Sequence, residues 1–349
     1  MKTFLNEIPN NYNVLIFGAG LTGKKIYNII NENRNDIKIL GFIDSFKTGN
    51  FLSKQIYSLS DISNFSDQER LYIIIATVEN DTIIELKNNP LLKSFNVLIP
   101  IELENKVYSN NDLKQIESIS LKLKFGKEVF DMIINSRINR DYALIKKHFD
   151  QNIYNKKVQY FSGPDFDNND IIIDGGMFDG TEAMHFASNA YNGKVFSFDP
   201  WGGKMITDLE AFQSFENLKI VPKALWNKTT KVYFSSNAPE GHEAGAFISN
   251  TQDGNFEIID SISIDEFVVN EKLNKLDFIK MDIEGSEIQA LIGAENSIKR
   301  FKPKLAICVY HDPKHFFEIP NLILQFNPSY QIGFEHYTDN INESVMYFF

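Results

Sequence analysis

The sequence predicts an α/β protein of two doubly wound units joined by a helical segment, and three stretches carry that expectation. Ile171-Ile172-Ile173 reads as a fully buried parallel strand, and Asp174-Gly175-Gly176-Met177-Phe178-Asp179-Gly180-Thr181 reads as the turn leaving its C-terminal end. Val195-Phe196-Ser197-Phe198 is a second apolar run and ends on an acid, Asp199. Val14-Leu15-Ile16-Phe17 is a third, followed by Gly18-Ala19-Gly20-Leu21-Thr22-Gly23. Parallel sheets bind ligands beyond their strand ends, where glycines let backbone N–H groups approach and a neighbouring acid accepts ribose hydroxyls. The pattern therefore points to a nucleoside-containing cofactor. No Lys-Ser/Thr follows the last glycine of the Asp174 loop, which excludes a P-loop.

Residues 1–105 are expected to form a Rossmann-like domain. After the Gly18–Gly23 loop comes an amphipathic segment, Lys24 to Asn33, then a strand from Ile37 to Ile43 ending at Asp44. A G-x-G-x-x-G between strand and helix, with an acid about 20 residues on, matches the dinucleotide fingerprint. Further strands are expected at Leu71 to Ala76 and Asn96 to Pro100. Gly18, Gly20, Gly23 and Asp44 are thus candidate nucleotide-binding residues. A purely structural or protein-docking role fits the same glycines. Gly41-Phe42-Ile43-Asp44 resembles the N-terminal nucleotide-sugar-binding domains of some sugar acetyltransferases.

Residues 106–155 carry apolar side chains near helical spacing without proline, for example Ile116, Ile119 and Leu123, or Val129, Ile133 and Ile134, and are expected to be a helical linker. Phe161-Ser162-Gly163-Pro164-Asp165 reads as a boundary loop. Residues 156–349 form the second expected domain. Strand candidates there include Leu218 to Val221 and Lys231 to Phe234, and Pro239 to Gly245 reads as a mobile loop near the cleft. Leu276 to Met281 would deliver Asp282 and Glu284 to a strand end, with a helix running from Gly285-Ser286 through Ile298. A last strand, Leu305 to Tyr310, ends at His311.

The chain has 349 residues, 43% hydrophobic and 23% charged, a composition that suits soluble globular domains. Its net charge of -11 disfavours nonspecific binding to nucleic acid or anionic bilayers. Cys308, the single cysteine, sits in an apolar run and is expected to be a buried thiol. No signal-type or membrane-spanning run is visible, so a cytoplasmic location is the expectation.

Ile173 to Gly180, Phe196-Ser197-Phe198-Asp199-Pro200 and Ile279-Lys280-Met281-Asp282-Ile283-Glu284-Gly285-Ser286-Glu287 together resemble the FkbM-type family of S-adenosylmethionine-dependent methyltransferases. The ending Val309-Tyr310-His311, the tail Asn327-Pro328-Ser329-Tyr330 and His336-Tyr337 are similar to one branch of it. The resemblance covers residues from about 156 to the end. It implies a class I methyltransferase-like fold and methyl transfer, with a sugar hydroxyl in a glycan or its precursor as acceptor. It also implies Asp174 near the methionine ammonium, Gly175, Gly176 and Gly180 giving backbone access, and Asp199 on the ribose. The chain departs from the family in having Asp199 where Glu is commoner, and Met177 where a small residue often stands.

A hydroxyl is a poor nucleophile, so a base or a metal would help the transfer. Asp282, Glu284 and His311 are the candidates, either as a histidine base oriented by a carboxylate or as a site for a divalent metal. The cluster lacks a third acid, and the metal-free base is the favoured arrangement. Glu284 also suits a helix cap, and His311 a structural histidine; His336 is a candidate for the substrate pocket. Two rival readings remain: an NAD-dependent oxidoreductase using the Gly18–Gly23 loop, and a non-catalytic nucleotide-binding scaffold.

Overall fold

In the computed structural model, the residues described are 3–65, 68–77, 80–100, 108–139, 143–151, 159–161, 165–235, 247–249 and 257–349. The expected mobile loop from Pro239 to Gly245 lies outside them, as does the centre of the boundary loop, Ser162 to Pro164. The chain divides into two compact units. One comprises Met1–Tyr108, Met132–Gln151 and Thr338–Ile341, and the other comprises Ser109–Asp131, Asn152–Tyr337 and Asn342–Phe349. The segment expected as a helical linker is therefore shared between the two units.

The first unit is built on six strands, β1 (Asn13–Phe17), β2 (Lys38–Ile43), β3 (Gly49–Phe51), β4 (Lys54–Tyr57), β5 (Leu71–Ile75) and β6 (Asn96–Leu98), in the order β3-β4-β2-β1-β5-β6. All pairs are parallel except β3 with β4. Central β1 is buried on both faces. Val14 and Ile16 pack with Ile26 and Ile30 of helix α1 (Leu21–Asn33), while Leu15 and Phe17 pack in a second cluster with Ile83 and Leu86 of α2 (Asn80–Asn88). That double burial explains the unbroken apolar run in the sequence. Helix α1 starts earlier than expected, because Leu21, Thr22 and Gly23 form its first turn.

Between Ser109 and Gln151 three helices form, α3 (Asn110–Ser120), α4 (Lys127–Asn139) and α5 (Ala143–Gln151), with a short strand, β7 (Leu123–Phe125), inside the expected helical stretch. Ser109 caps α3 by accepting from the Asp112 amide, and Asp112 accepts in return from Ser109 N–H.

The second unit holds an eight-stranded sheet of β7, β8 (Ile171–Gly175), β9 (Lys194–Phe198), β10 (Leu218–Val221), β15 (Phe278–Met281), β16 (Lys304–Cys308), β17 (Ile332–His336) and β18 (Ser344–Phe348), in the order β10-β9-β8-β15-β16-β18-β17-β7. A smaller sheet of β11 (Ala224–Leu225), β12 (Thr230–Ser235), β13 (Phe247–Ser249) and β14 (Glu257–Ile262) has the order β11-β14-β12-β13. In the large sheet the chain runs outward from β8 to β10 and then returns to lay β15 on the other side of β8. That reversal makes the β8/β15 strand ends a topological switch point, where such sheets open a crevice. β18 is antiparallel to both β16 and β17. The helix expected from Gly285 through Ile298 is two helices, Glu287–Ile292 and Glu295–Phe301. Gly293 separates them, and a Cβ there would meet the Trp226 carbonyl at 2.2 Å.

Candidate active site

A cavity of about 350 Å³ opens at the switch point, lined among others by Gly176, Phe198, Asp199, Lys280, Asp282 and Glu284. The volume lies within the ~300–1,000 Å³ usual for small-molecule sites. Gly176 makes the close approach possible. Its φ is +83°, and a Cβ would lie 1.8 Å from the Asp282 carbonyl. Gly180 caps α6 (Thr181–Asn189) with φ of +85°.

Asp174, expected near the methionine ammonium, is engaged within the protein. The carboxylate is fully buried, 3.1 Å from the Lys280 ammonium and accepting from the Ser197 hydroxyl at 2.9 Å, and it does not line the cavity. Nor do Gly175 and Gly180. Lys280 also donates to the Gly176 carbonyl at 2.5 Å and stands 5.0 Å over the Tyr160 ring. Burial opposes its charge, yet Asp174, Asp282 and Glu182 outweigh that and raise its pKa. Asp174 and Lys280 thus lock the glycine turn onto β15. Sequence reasoning gave Lys280 no role, although a lysine between Ile279 and Met281 on a buried strand requires a partner.

Asp199 does line the cavity, and its two oxygens accept from the Trp201 amide at 2.9 Å and the Gly203 amide at 2.7 Å. It shapes the turn after β9. Each carboxylate oxygen retains a second lone pair for a ligand.

Asp282 accepts from the Tyr160 hydroxyl at 2.7 Å and from Tyr310 at 3.0 Å. Tyr310 lies equally 3.0 Å from Glu343, whose other oxygen accepts from Gln159 at 2.6 Å. His311 follows β16 and packs beside Asp282. Its Nε2 is 3.4 Å from Asp282 and 3.5 Å from Glu284, and its Nδ1 is 3.0 Å from Glu287. Burial opposes a charge on this ring, but Glu287 first, then Asp282 and Glu284, raise its pKa to about 10. The surroundings thus favour the protonated ring. Burial pushes Glu284 up to about 7, opposed by His311 and aided by Asp282, Glu287 and Glu343.

Glu284 does not cap the following helix, whose N-cap is Ser286. Glu287, fully buried at the start of that helix, ties down the preceding turn: its Oε1 accepts from the Ile283 amide at 3.0 Å and the Gly285 amide at 3.4 Å. Glu287 is the third acid that sequence reasoning lacked: donor atoms of Asp282, Glu287 and His311 all lie within 4.8 Å of one another. Its signal was present as the last residue of the Asp282–Glu287 run. His336 is buried and paired with Ser344 at 2.8 Å, and it is not among the cavity residues. Cys308 is buried as expected.

In the first unit, the Gly18–Gly23 loop closes on itself. A Cβ on Gly23 would lie 1.9 Å from the Gly18 carbonyl. Asp44 accepts from the amides of Ala19, Phe46 and Lys47, and Lys47 donates to the Ala19 carbonyl at 2.7 Å. The acid expected to bind a ribose here is engaged in tying the loop.

The second unit, a doubly wound sheet with a cavity at its switch point, has a class I methyltransferase-like fold. Residues 151–336 match the methyltransferase FkbM domain family, more than half of the chain, and the protein belongs to that family. Residues 10–90 match the C2185-like N-terminal family. Among solved structures, a methyltransferase FkbM from Methylobacillus flagellatus KT is 17% identical with a TM-score of 0.72, the match covering 100% of this chain and 92% of that one. Fibrillarin from Aeropyrum pernix, solved with S-adenosyl-L-methionine, is 10% identical over 56% of this chain and 74% of its own, with a TM-score of 0.35. An rRNA methylase from Streptococcus thermophilus is 12% identical over 57% and 92%, with a TM-score of 0.30. The last two scores are too low to define a shared fold. No match was found among curated proteins. Among the described residues no helix is long and apolar enough to cross a membrane.

Proposed function

We propose that this methyltransferase uses S-adenosylmethionine to methylate a hydroxyl, with a sugar in a glycan or glycan precursor as the acceptor class. The observation that carries the reading is the polarity of the cavity. Met177, Phe198, Trp201, Met205 and Leu225 are apolar lining suited to an adenine, and the lining acids Glu182, Asp199, Asp282, Glu284 and Glu343 outnumber the lining lysines Lys223 and Lys280. The acidic excess suits a cofactor bearing sulfonium and ammonium charges. Gly176 would supply backbone access, and Asp199 would accept from the ribose hydroxyls with its free lone pairs.

When bound, the cofactor would supply an electrophilic methyl on a sulfonium, leaving as a thioether when the methyl ether forms. The chain's own residues would orient the acceptor, and the Asp282 or Glu284 carboxylate at the cavity would take its hydroxyl proton. Asp282, held by Tyr160 and Tyr310, is fixed in one direction, and Glu284 is the more exposed carboxylate of the pair. Positioning of this kind supplies much of the rate in a bimolecular substitution.

Calorimetric titration with S-adenosylmethionine, S-adenosylhomocysteine and NAD tests the reading. Binding of both sulfur nucleosides without NAD is expected. Tight NAD binding with affinity for neither sulfur nucleoside would overturn it in favour of an oxidoreductase.

A further inference from the structure

We propose that Asp282 and Glu343 share a single proton through Tyr310, with Glu343 the neutral acid of the resting cavity and Asp282 its anionic base. Five side chains lining the cavity close a ring of hydrogen bonds. The Tyr310 hydroxyl lies 3.0 Å from Asp282 Oδ1 and 3.0 Å from Glu343 Oε1. Gln159 donates to Glu343 Oε2 at 2.6 Å and to the Tyr160 hydroxyl at 3.0 Å, and Tyr160 donates to Asp282 Oδ2 at 2.7 Å. Both N–H donors of Gln159 are used, and Tyr160 gives its one proton to Asp282. Tyr310 also has one proton, but it stands between two carboxylate oxygens. With both acids ionised, one of those two contacts would set lone pair against lone pair. A proton on Glu343 removes the conflict: Glu343 donates to the Tyr310 oxygen, and Tyr310 donates to Asp282.

Charge puts the proton on Glu343 rather than on Asp282. An oxygen of each acid and the Cys308 sulfur lie within 4.8 Å of one another, and carboxylates so close do not readily both ionise. Burial keeps Cys308 a neutral thiol. Asp282 faces the protonated ring of His311 at 3.4 Å, and against the cost of burial His311 and Lys280 hold its pKa down. The partners of the Glu343 carboxylate, Gln159 and Tyr310, are both neutral. Burial first, then the Asp282 charge, raises the Glu343 pKa, opposed by Gln159, Tyr310 and His311. The backbone marks the same residue. Glu343 has φ of +62° in the turn before β18, a left-handed conformation uncommon for a non-glycine residue and typical of functional positions. Its carbonyl accepts from the Tyr337 amide at 3.1 Å, which holds that turn in place. With Glu343 already protonated, the pair has room for one more proton, on Asp282. The acceptor O–H bond breaks, its proton forms an O–H bond on Asp282, and the electron pair stays on the acceptor oxygen for the bond to carbon. Glu343 and Tyr310 are positioning residues that aim Asp282 and keep it the ring's anion. That role rests on the methyl-transfer reading; the shared proton does not.

The test is infrared difference spectroscopy of the full chain at neutral pH, wild type minus Glu343→Gln, with S-adenosylhomocysteine calorimetry on the wild type alongside. The carbonyl-stretch band of a protonated carboxylic acid is expected, shifted down in heavy water and lost in the variant. Glu284, pushed up to about 7, is present in both chains and cancels in the difference. An amide offers the same donor and acceptor as the protonated acid. Glu343→Gln should therefore keep the wild-type melting temperature while Glu343→Ala lowers it. No acid band, or a Glu343→Gln as damaging as Glu343→Ala, overturns the shared proton. Tyr310→Phe gives a second reading that does not depend on those variants. The acid there loses its acceptor, so the band should shift or vanish, and an unmoved band overturns the proposal. Cofactor binding without the band removes the shared proton and leaves methyl transfer standing; the band without cofactor binding does the reverse.

Discussion

Lys280 and Asp174 show how much a single residue type can conceal. Both are almost wholly buried, and each is the other's counter-charge. Removing one partner strands a buried charge at a cost of about 3–5 kcal/mol, whereas replacing both with apolar groups is often close to neutral. Lys280→Met and Asp174→Leu should each lower stability by that order in urea unfolding, and the double variant should be less destabilised than the sum. Strict additivity would deny the coupling. Asp199 carries a different prediction. Asp199→Ala should weaken S-adenosylhomocysteine binding about tenfold to a hundredfold, since charged hydrogen bonds are worth roughly 1.5–3 kcal/mol. Unchanged affinity in calorimetry would leave Asp199 with only its Trp201 and Gly203 amides to hold.

At the scale of elements, the strand-end turns are the sensitive points. Gly176→Ala would force a side chain against the Asp282 carbonyl at a φ of +83°. A loss of cofactor binding together with a lower melting temperature is expected, and wild-type behaviour in both would mean that the turn rearranges freely. The Asp44 turn in the first unit responds to acid. Burial works to raise the Asp44 pKa, but the Phe46, Ala19 and Lys47 amides hold it below the usual carboxylate range. Its contribution is therefore present above that range and fades as pH falls through the folded-state pKa. Asp44→Asn should cost about 1 kcal/mol at pH 7, the size of a lost cap. Urea midpoints at pH 7 and pH 3 should differ less in the variant than in the wild type. An equal difference would remove Asp44 from the acid response.

These elements also show what the sequence could and could not reveal. Apolar runs ending in Asp174, Asp199, Asp282 and His311 announced strands and strand ends, because a parallel sheet buried on both faces leaves no other pattern. Which way each side chain turned was not legible. Asp174 and Asp282 both follow apolar strand residues, yet one closes on Lys280 and the other faces the cavity. Tyr160 and Glu343 reach Asp282 and Tyr310 from 122 and 33 residues away, respectively, so no local periodicity could enlist them. β7 was hidden because Leu123 continues the helical spacing of Ile116 and Ile119, although it pairs in parallel with β17.

For the whole molecule, the path of the chain has a consequence in time. The first unit takes its residues from three places, and the last of them, Thr338–Ile341, lies within a dozen residues of Phe349. Arg137, itself in a returning segment, donates to the Ile341 carbonyl at 2.7 Å. During synthesis the six-stranded sheet emerges before the large sheet, but its unit stays incomplete until Ile341 has left the ribosome. Stalled nascent chains ending before residue 338 should therefore be cut by protease near Arg137 more readily than the released protein. Birth order and finishing order differ: the six-stranded sheet precedes residues 152–337 of the second unit in synthesis, yet its own unit closes after them.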